Sequence, residues 1–120
     1  MCFFACGGDD DNDGPREGHD SRLVGTWYDT RESSVQSGFI FERNGTCYYS
    51  EWRERESPDW GSAREWETDN NYKIAIGKFG DMPNIKIYRY EVNGKNLNIY
   101  DEYKRGSGEY THLEWQLVKQ

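Results

Sequence analysis

From Leu23 onwards the chain alternates short aromatic and β-branched segments with turn-forming residues. Within most of these segments apolar and polar residues alternate, which is the two-residue period of a strand with one buried face. The turn signals recur at the spacing typical of an all-β sandwich or barrel. The pattern predicts strands near residues 23–30, 36–43, 46–56, 62–69, 72–79, 84–92, 95–103 and 109–118.

The first tight turn of the predicted sheet is Asn44-Gly45. Both residues tolerate the positive φ angles of a two-residue type I′ turn, whose twist fits antiparallel strands. The resulting register places Phe39 opposite Ser50. It also places Phe41 opposite Tyr48, so we expect Tyr48 to share the buried face with the two phenylalanines.

Asn93-Gly94 supplies the second tight turn. The pairs that a two-residue turn predicts here are Tyr90 with Leu97 and Tyr88 with Ile99. Ile85 and Ile87 then fall out of step with the neighbouring tyrosines. A β-bulge near Ile87 or Tyr88 would restore the alternation, and we expect one there.

Consecutive hairpins joined by short loops predict an up-and-down meander, in which the last strand presents Leu113, Trp115 and Leu117 on one face. Closing the meander into a barrel removes the two exposed edges that invite aggregation. A barrel of eight strands encloses a space that side chains can fill or one small ligand can occupy. We therefore expect one all-β domain over residues 21–120, an eight-stranded antiparallel up-and-down β-barrel.

Residues 1–20 hold six acidic residues and one basic residue, whereas the remaining 100 residues hold 16 acidic and 14 basic residues. The stretch Phe3-Phe4-Ala5-Cys6 resembles the end of a bacterial lipoprotein signal, in which the cysteine is acylated. The resemblance implies a signal-peptide remnant at 1–5 and lipid attachment at Cys6. The following residues are rich in Gly, Asp and Asn and contain no core residue, so we expect a disordered, flexible acidic tether at 6–20. Because so few residues precede Cys6, we expect the signal to begin upstream or to have been trimmed.

The acidic residues close behind Cys6 resemble the surface-export signals of some Gram-negative lipoproteins. The resemblance implies a cell-envelope protein that a lipid anchors to the outer membrane, with exposure on the outer face as one outcome. No run of 18 apolar residues occurs in the sequence, so no segment is expected to cross a membrane as a helix.

A calcium loop is the alternative interpretation of the acidic segment. The residues that fit its alternating oxygen ligands are Asp9, Asp11, Asp13 and Asp20, with Gly14 at the bend. Neither flank has the pattern of a helix, and Pro15 stands where an apolar residue usually follows the glycine. The sequence therefore favours the solvated tether over the calcium site.

The first predicted strand contains the motif G-x-W, at Gly25 and Trp27. An F-x-F strand, an N-G-T turn and a closing L-x-W-x-L follow it, and this order resembles the lipocalin-like (calycin) domains of bacterial lipoproteins. The resemblance covers residues 21–120 and implies that Trp27 closes one end of the barrel beneath the cavity. In larger lipocalins a late arginine stacks on that tryptophan, whereas the last strand here offers only Lys119.

The candidates for lining a ligand cavity are Trp27, Phe39, Phe41, Tyr48, Trp66 and Trp115. Apolar rings with a few polar tips are the usual lining of a small-molecule pocket. The same rings can instead fill the barrel, because each buries a large area in a chain with little volume to spare.

The two hypotheses are an anchored module that binds a small apolar or amphipathic ligand, and a filled barrel that acts through its rim and loops as an interaction or inhibitor module. Trp52 and Trp60 are candidates for an outer contact patch.

Catalysis is not expected from the residue pattern. The sequence has only two histidines, His19 and His112, which cannot supply a metal triad, and the spacing suggests no Ser-His-Asp or Cys-His pairing. Glu65 and Glu67 share a strand face that is best explained by cross-strand charge pairs. Cys47 is expected to be a partly buried thiol, with an intermolecular disulfide as the alternative. We expect no cofactor, and no nucleic-acid partner because the body lacks a basic stripe; the sequence leaves the oligomeric state open.

Overall fold

The computed structural model describes residues 18–32, 34–80 and 84–120, without the side chains of residues 104 and 105. Within these residues a 3-10 helix precedes eight strands. The elements are the 3-10 helix Ser21–Leu23, β1 (Gly25–Asp29), β2 (Val35–Phe41), β3 (Thr46–Arg53), β4 (Arg64–Thr68), β5 (Lys73–Gly77), β6 (Ile85–Asn93), β7 (Asn96–Arg105) and β8 (Gly108–Lys119). No helix among the described residues has the length and apolar character needed to cross a membrane.

The strands follow one another around a single closed barrel, from β1 to β8. Every neighbouring pair is antiparallel, including β1 with β8. The predicted all-β class and the eight-stranded up-and-down barrel are therefore confirmed.

The two ends of the barrel differ. At the closed end, where β1 begins, the 3-10 helix packs beneath a cluster of buried side chains: Leu23, Trp27, Phe41, Cys47, Trp66, Ile74, Tyr90, Leu97 and Leu117. At the open end, where β1 ends, the connections 30–34, 54–63, 78–84 and 106–107 join the strands. Burial of the apolar side chains therefore stabilises chiefly the closed end.

The first hairpin differs from the predicted one by a single residue. Phe39 pairs with Tyr49 and Phe41 with Cys47, because the loop contains three residues, 43–45, instead of two. Gly45 adopts a φ of 93°, and a glycine at this position is typical of a type I turn followed by a bulge. Since side chains alternate between faces, the one-residue change turns Tyr48 to the outer face and Tyr49 to the inner one.

The second hairpin differs from the predicted one by two residues. Tyr90 pairs with Ile99 and Val92 with Leu97, because the turn residues are Gly94 and Lys95. Gly94 has a φ of 62° at the first central position, as in a type II′ turn. A change of two residues keeps every side chain on its face, so the predicted inner face is unchanged although the predicted pairs are wrong.

The expected bulge lies on a different strand. β6 pairs with β5 without interruption from Ile85 to Arg89, and Ile87 is simply exposed on the outer face, at 61%. The register shift occurs instead between β7 and β8, where Ile99 pairs with Trp115 but Tyr100 pairs with Leu113. The prediction that Leu113 shares the inner face of β8 with Trp115 and Leu117 is therefore wrong.

The body of the protein begins before residue 21, the predicted boundary. Gly18 forms two backbone hydrogen bonds with Thr68, of 2.9 and 2.7 Å. The His19 ring packs against Trp66 at a centroid distance of 5.1 Å, and Asp20 is fully buried. Residues 18–20, which the sequence assigned to the tether, thus form part of the closed end.

Candidate functional site

The tryptophan of the G-x-W motif lies in the packed half of the barrel. Trp27 is fully buried, and its indole N–H donates a hydrogen bond of 2.7 Å to the Leu23 carbonyl oxygen. Lys119 Nζ lies 5.4 Å from the centroid of the Trp27 ring, which is a cation–π contact. Gly25 adopts a φ of 139°, a backbone conformation that favours glycine, and a Cβ there would lie 2.7 Å from Lys119 Cε. Lys119 therefore makes the contact that the resemblance assigns to an arginine.

Phe41 and Trp66 also belong to the packed half. Their ring centroids lie 5.1 Å apart, and both side chains are almost completely buried. The Trp66 indole N–H donates to the Glu42 carbonyl oxygen at 2.9 Å, which satisfies the polar atom of a buried ring. These rings, like Trp27, fill the closed end of the barrel.

A pocket of about 760 Å³ lies at the open end. β3 and β4 pair only through Thr46–Glu65 and Cys47–Arg64, so the two strands separate towards the open end. The pocket extends to this gap, since Tyr49 and Glu51 of β3 and residues 62–64 line it. Its volume is within the range of small-molecule sites in proteins.

Four aromatic side chains, Phe39, Tyr49, Tyr88 and Trp115, form the apolar wall of the pocket. Trp115 meets the other three edge-on, at centroid distances of 4.9 Å to Phe39, 5.6 Å to Tyr49 and 5.3 Å to Tyr88. Phe39 in turn stacks on Phe41 at 5.2 Å, which connects the wall to the packed core. Edge-to-face arrangements are favoured between aromatic rings, so the four rings support one another.

The Tyr49 hydroxyl is the polar tip of this wall. It donates a short hydrogen bond to Glu51 Oε2. Burial and this hydrogen bond raise the pKa of Tyr49 well above its usual value, while hydrogen bonds with Trp115 and Ser37 oppose the rise. The hydroxyl therefore stays protonated at neutral pH.

Charged side chains surround the aromatic wall: Arg64, Lys78 and Lys86 on one side and Glu51 and Glu114 on the other. Arg64 Cζ lies 5.8 Å from the Tyr49 ring centroid. Lys86 Nζ lies 5.8 Å from the Tyr88 ring centroid and 3.4 Å from Asp101 Oδ2. An apolar wall with a charged rim is suited to an amphipathic ligand.

A smaller pocket of about 190 Å³ adjoins the first and shares Tyr49, Glu51, Glu114 and Trp115 with it. Its far side holds Asp29, which accepts hydrogen bonds from Arg31 at 2.8 Å and from the Gln116 backbone N–H at 3.0 Å. Burial raises the pKa of Asp29, but these hydrogen bonds outweigh it and leave the pKa below its usual value. Because β1 and β8 share only two residue pairs, Asp29 helps to hold this seam closed.

The six aromatic candidates fall into three groups. Phe39 and Trp115 line the pocket, Trp27, Phe41 and Trp66 lie in the packed half, and Tyr48 pairs with Ile40 on the outer face. Two pocket residues, Tyr49 and Tyr88, were absent from the candidates. For Tyr49 the one-residue error in the first hairpin hid the signal, whereas the alternation of Tyr88 with Tyr90 was sufficient to identify it.

The lipidation candidate Cys6 and the calcium candidates Asp9, Asp11 and Asp13 lie outside the described residues. The fourth calcium candidate, Asp20, has its carboxylate oxygens engaged by Arg22 and Tyr90. Among the described residues, no group of three or more His, Cys, Asp and Glu side chains is arranged to hold a metal ion.

Cys47 lies at the base of β3 with its side chain in the packed half. The thiol is buried and donates to the Glu65 carbonyl oxygen at 3.6 Å. Burial raises the pKa of Cys47 to about 12, so the reactive thiolate is scarce at neutral pH. The geometry fits a packing role for this cysteine.

Tyr28, Trp52 and Trp60 form a separate cluster on the outer face of the barrel. Trp60, from the β3–β4 connection, packs 6.1 Å from Trp52 and 6.4 Å from Tyr28. The Trp52 indole N–H donates to Gln36 Oε1 at 3.0 Å. The cluster fixes the β3–β4 connection to the outer wall, so Trp52 is buried beneath the connection instead of forming an exposed contact patch.

No family model, curated protein or solved structure gives a significant match to the chain. The functional interpretation therefore rests on the barrel and its pocket.

Proposed function

We propose that the protein is a non-catalytic, lipocalin-like binding module that carries a small apolar or amphipathic ligand in the open half of its barrel. The observation that supports the proposal is the pocket of about 760 Å³ with its wall of four aromatic side chains. The G-x-W motif, with Trp27 packed on the 3-10 helix and Lys119 above it, adds support from the resemblance. The packed half supplies a rigid base, and the open half offers apolar area to a ligand.

Titration of the full chain with fatty acids and hydrophobic dyes, followed by tryptophan fluorescence, tests ligand binding. Trp115 lies in the pocket wall and reports on its occupation. Filling the pocket by Ala63→Phe is expected to weaken binding about tenfold, equivalent to ~1.4 kcal/mol. The matched control is Ala75→Phe, because Ala75 pairs with Glu67 and Ile87 on the outer face. Equal binding by both variants, or no saturable binding by the wild type, would contradict the proposal.

We further propose that Cys6 carries the lipid that anchors this module to the outer membrane. The support is the sequence Phe3-Phe4-Ala5-Cys6 and the acidic segment behind it. Stable anchoring requires more than one acyl chain, as single chains bind membranes only marginally. Expression with the native upstream codons should place the protein in the membrane fraction, and Cys6→Ala should release it. A Cys6→Ala protein that still sediments with membranes would refute the anchor.

An interaction module acting through the rim is the second candidate. It is supported by Tyr103 and Tyr110, which stack at 5.7 Å on the part of the β7–β8 hairpin that extends beyond the barrel and are 46% and 49% exposed. Exposed aromatic pairs are enriched in protein interfaces. The titration separates the two candidates, since a rim-acting module would bind none of the small molecules saturably.

A further inference from the structure

The charged residues at the open end are sorted by strand. The basic ones lie on β4, just after β5 and on β6, at Arg64, Lys78 and Lys86. The acidic ones lie on β3 and β8, at Glu51 and Glu114. In a closed barrel with the order β1 to β8, the arc from β4 to β6 faces the arc from β8 through β1 to β3. The pocket thus has a basic wall and an acidic wall, which adjoin at the gap between β3 and β4.

The smaller pocket extends the acidic side. It contains Glu32, Glu51 and Glu114, together with Asp29 and Arg31, which neutralise each other in an ion pair. In the described part of the chain these three carboxylates form no ion pair with a lysine or arginine, although Arg31 interacts electrostatically with Glu32 and Glu114. His112 Nε2 lies 3.6 Å from Glu114 Oε1.

The opposite charges do not meet. Among the described residues, no ion pair joins Arg64, Lys78 or Lys86 to Glu51 or Glu114. Lys86 pairs with Asp101, whereas Arg64 and Lys78 have no carboxylate partner within this part of the chain. A ligand that extends from the basic wall to the acidic wall could therefore compensate both sets of charges.

Tyr88 lies within reach of charges of both signs. Burial raises the pKa of its hydroxyl to about 12. The negative charges of Glu114 and Asp101 add to the rise, and the positive charge of Arg64 opposes it. A ligand placed on Tyr88 would experience the same opposed fields.

We infer that the ligand is a zwitterionic amphiphile with an anionic group at one end of a flat apolar body and a cationic group at the other. The anionic end lies against Arg64, Lys78 and Lys86, and the cationic end against Glu51 and Glu114. The body lies on the aromatic wall, where the cationic group also gains from the face of Trp115. This inference rests on the proposed binding function and specifies the chemistry of its ligand.

Four probes that share one ring system test the inference by calorimetry on the full chain at low salt. They are 6-(aminomethyl)-2-naphthoate, 2-naphthoate, 2-naphthylmethylamine and 2-naphthylmethanol. The zwitterion is expected to bind best and the neutral alcohol weakest, with each correctly placed charge contributing about threefold. If the four bind equally, the charge inference is wrong and the binding function stands. If none binds, the proposed function itself fails.

Paired substitutions assign each charge to its wall. The double variant Arg64→Gln and Lys78→Gln should bind the zwitterion and 2-naphthoate about threefold or more weakly than the wild type does. Its affinity for 2-naphthylmethylamine should be unchanged. Glu51→Gln with Glu114→Gln should have the opposite selectivity. Matched controls are Lys95→Gln, in the β6–β7 turn, and Glu67→Gln, on the outer face, and both should leave all four affinities unchanged. Loss of all probes alike, or no loss at all, would overturn the assignment.

Discussion

Asp20 is a fully buried carboxylate at the closed end of the barrel. It caps the 3-10 helix by accepting the Arg22 backbone N–H at 3.1 Å, and its oxygens accept the Arg22 guanidinium at 2.6 Å and the Tyr90 hydroxyl at 2.8 Å. Burial raises the pKa of Asp20, but the hydrogen bonds from Arg22 and Tyr90 outweigh it and leave the pKa below its usual value. Asp20 therefore stabilises the fold as an ion.

Asp20→Asn should lower the free energy of unfolding by about 2–4 kcal/mol at pH 7, because it leaves the Arg22 guanidinium without its charged partner. A depressed folded pKa gives stability that is complete above the unfolded pKa of about 3.9 and is lost as the pH falls through the folded value. Urea denaturation between pH 2 and 7 should therefore show a steeper acid loss for the wild type than for Asp20→Asn.

Tyr90→Phe is the matched control for this prediction, since it removes only the hydroxyl that donates to Asp20. It should lower the free energy of unfolding by about 1 kcal/mol. The loss of stability at acid pH should remain as in the wild type. Identical pH profiles for the wild type and Asp20→Asn would show that Asp20 is not the titrating group.

Single residues differ in how far the sequence predicts them. The burial of Trp27 follows from its motif, and Cys47 is buried as a small apolar residue would be. The role of Asp20 could not be predicted, because it follows a run of aspartates typical of a solvated tether. Its partner Tyr90 is 70 positions away, and no local pattern indicates that contact.

For the strands, the sequence predicts where the hairpins turn but not how many residues each turn contains. Asn44-Gly45 lies in the first turn, whereas in the second hairpin only Gly94 of the Asn93-Gly94 pair does, because Asn93 still pairs within β6. Alternation and turn residues locate all eight strands. An Asn-Gly pair, however, fits a two-residue turn as well as a three-residue loop with a bulge. The first hairpin has the longer loop, in which the Asn44 side chain accepts a hydrogen bond from the Thr46 backbone N–H at 2.9 Å. The extra loop residue shifts the register by one and exchanges the inner and outer faces of β3.

Gly38 in β2 provides a test of how the outer aromatic cluster packs on the strand. A Cβ at this position would lie 2.6 Å from the Trp27 carbonyl oxygen and 2.9 Å from the Tyr28 ring. Gly38→Ala should therefore lower the free energy of unfolding by about 1–3 kcal/mol through overpacking. Gly80→Ala is the control, since no atom of the described residues lies within 4 Å of a Cβ there. Equal stability of the two variants in thermal unfolding would contradict the packing.

The end of the β7–β8 hairpin extends past its neighbours. β6 pairs with β7 only as far as Tyr100, and β8 pairs with β1 only at Tyr28–Val118 and Trp27–Lys119. The hairpin beyond Tyr100 is thus a two-stranded ribbon, which is marginally stable alone. Amide hydrogen exchange should be fastest at residues 102–110 within β7 and β8 and slowest at Leu97 and Leu117. Uniform protection along the hairpin would show that another surface covers the ribbon.

The barrel has both a filled core and a cavity, one in each half. The closed half is packed with rings, and the open half holds the pocket, because β3 and β4 separate after Cys47–Arg64. Composition and alternation predict that a barrel forms and which residues face inwards. They do not predict where two strands separate, because that depends on the summed packing of all eight strands.

This division predicts that stability and binding respond to different tryptophans. Trp27→Leu should lower the free energy of unfolding by about 3 kcal/mol, because Trp27 is fully buried among packed rings and loses its bond to Leu23. Trp115→Leu should lower the free energy of unfolding by about 1 kcal/mol only. It should weaken binding of the naphthyl probes more strongly than Trp27→Leu does, because Trp115 contacts every other ring of the pocket wall. Urea denaturation and calorimetry of the two variants measure both quantities. If Trp27→Leu weakened probe binding more than Trp115→Leu at temperatures where both are folded, the binding surface would lie at the closed end and the two halves would have to exchange roles.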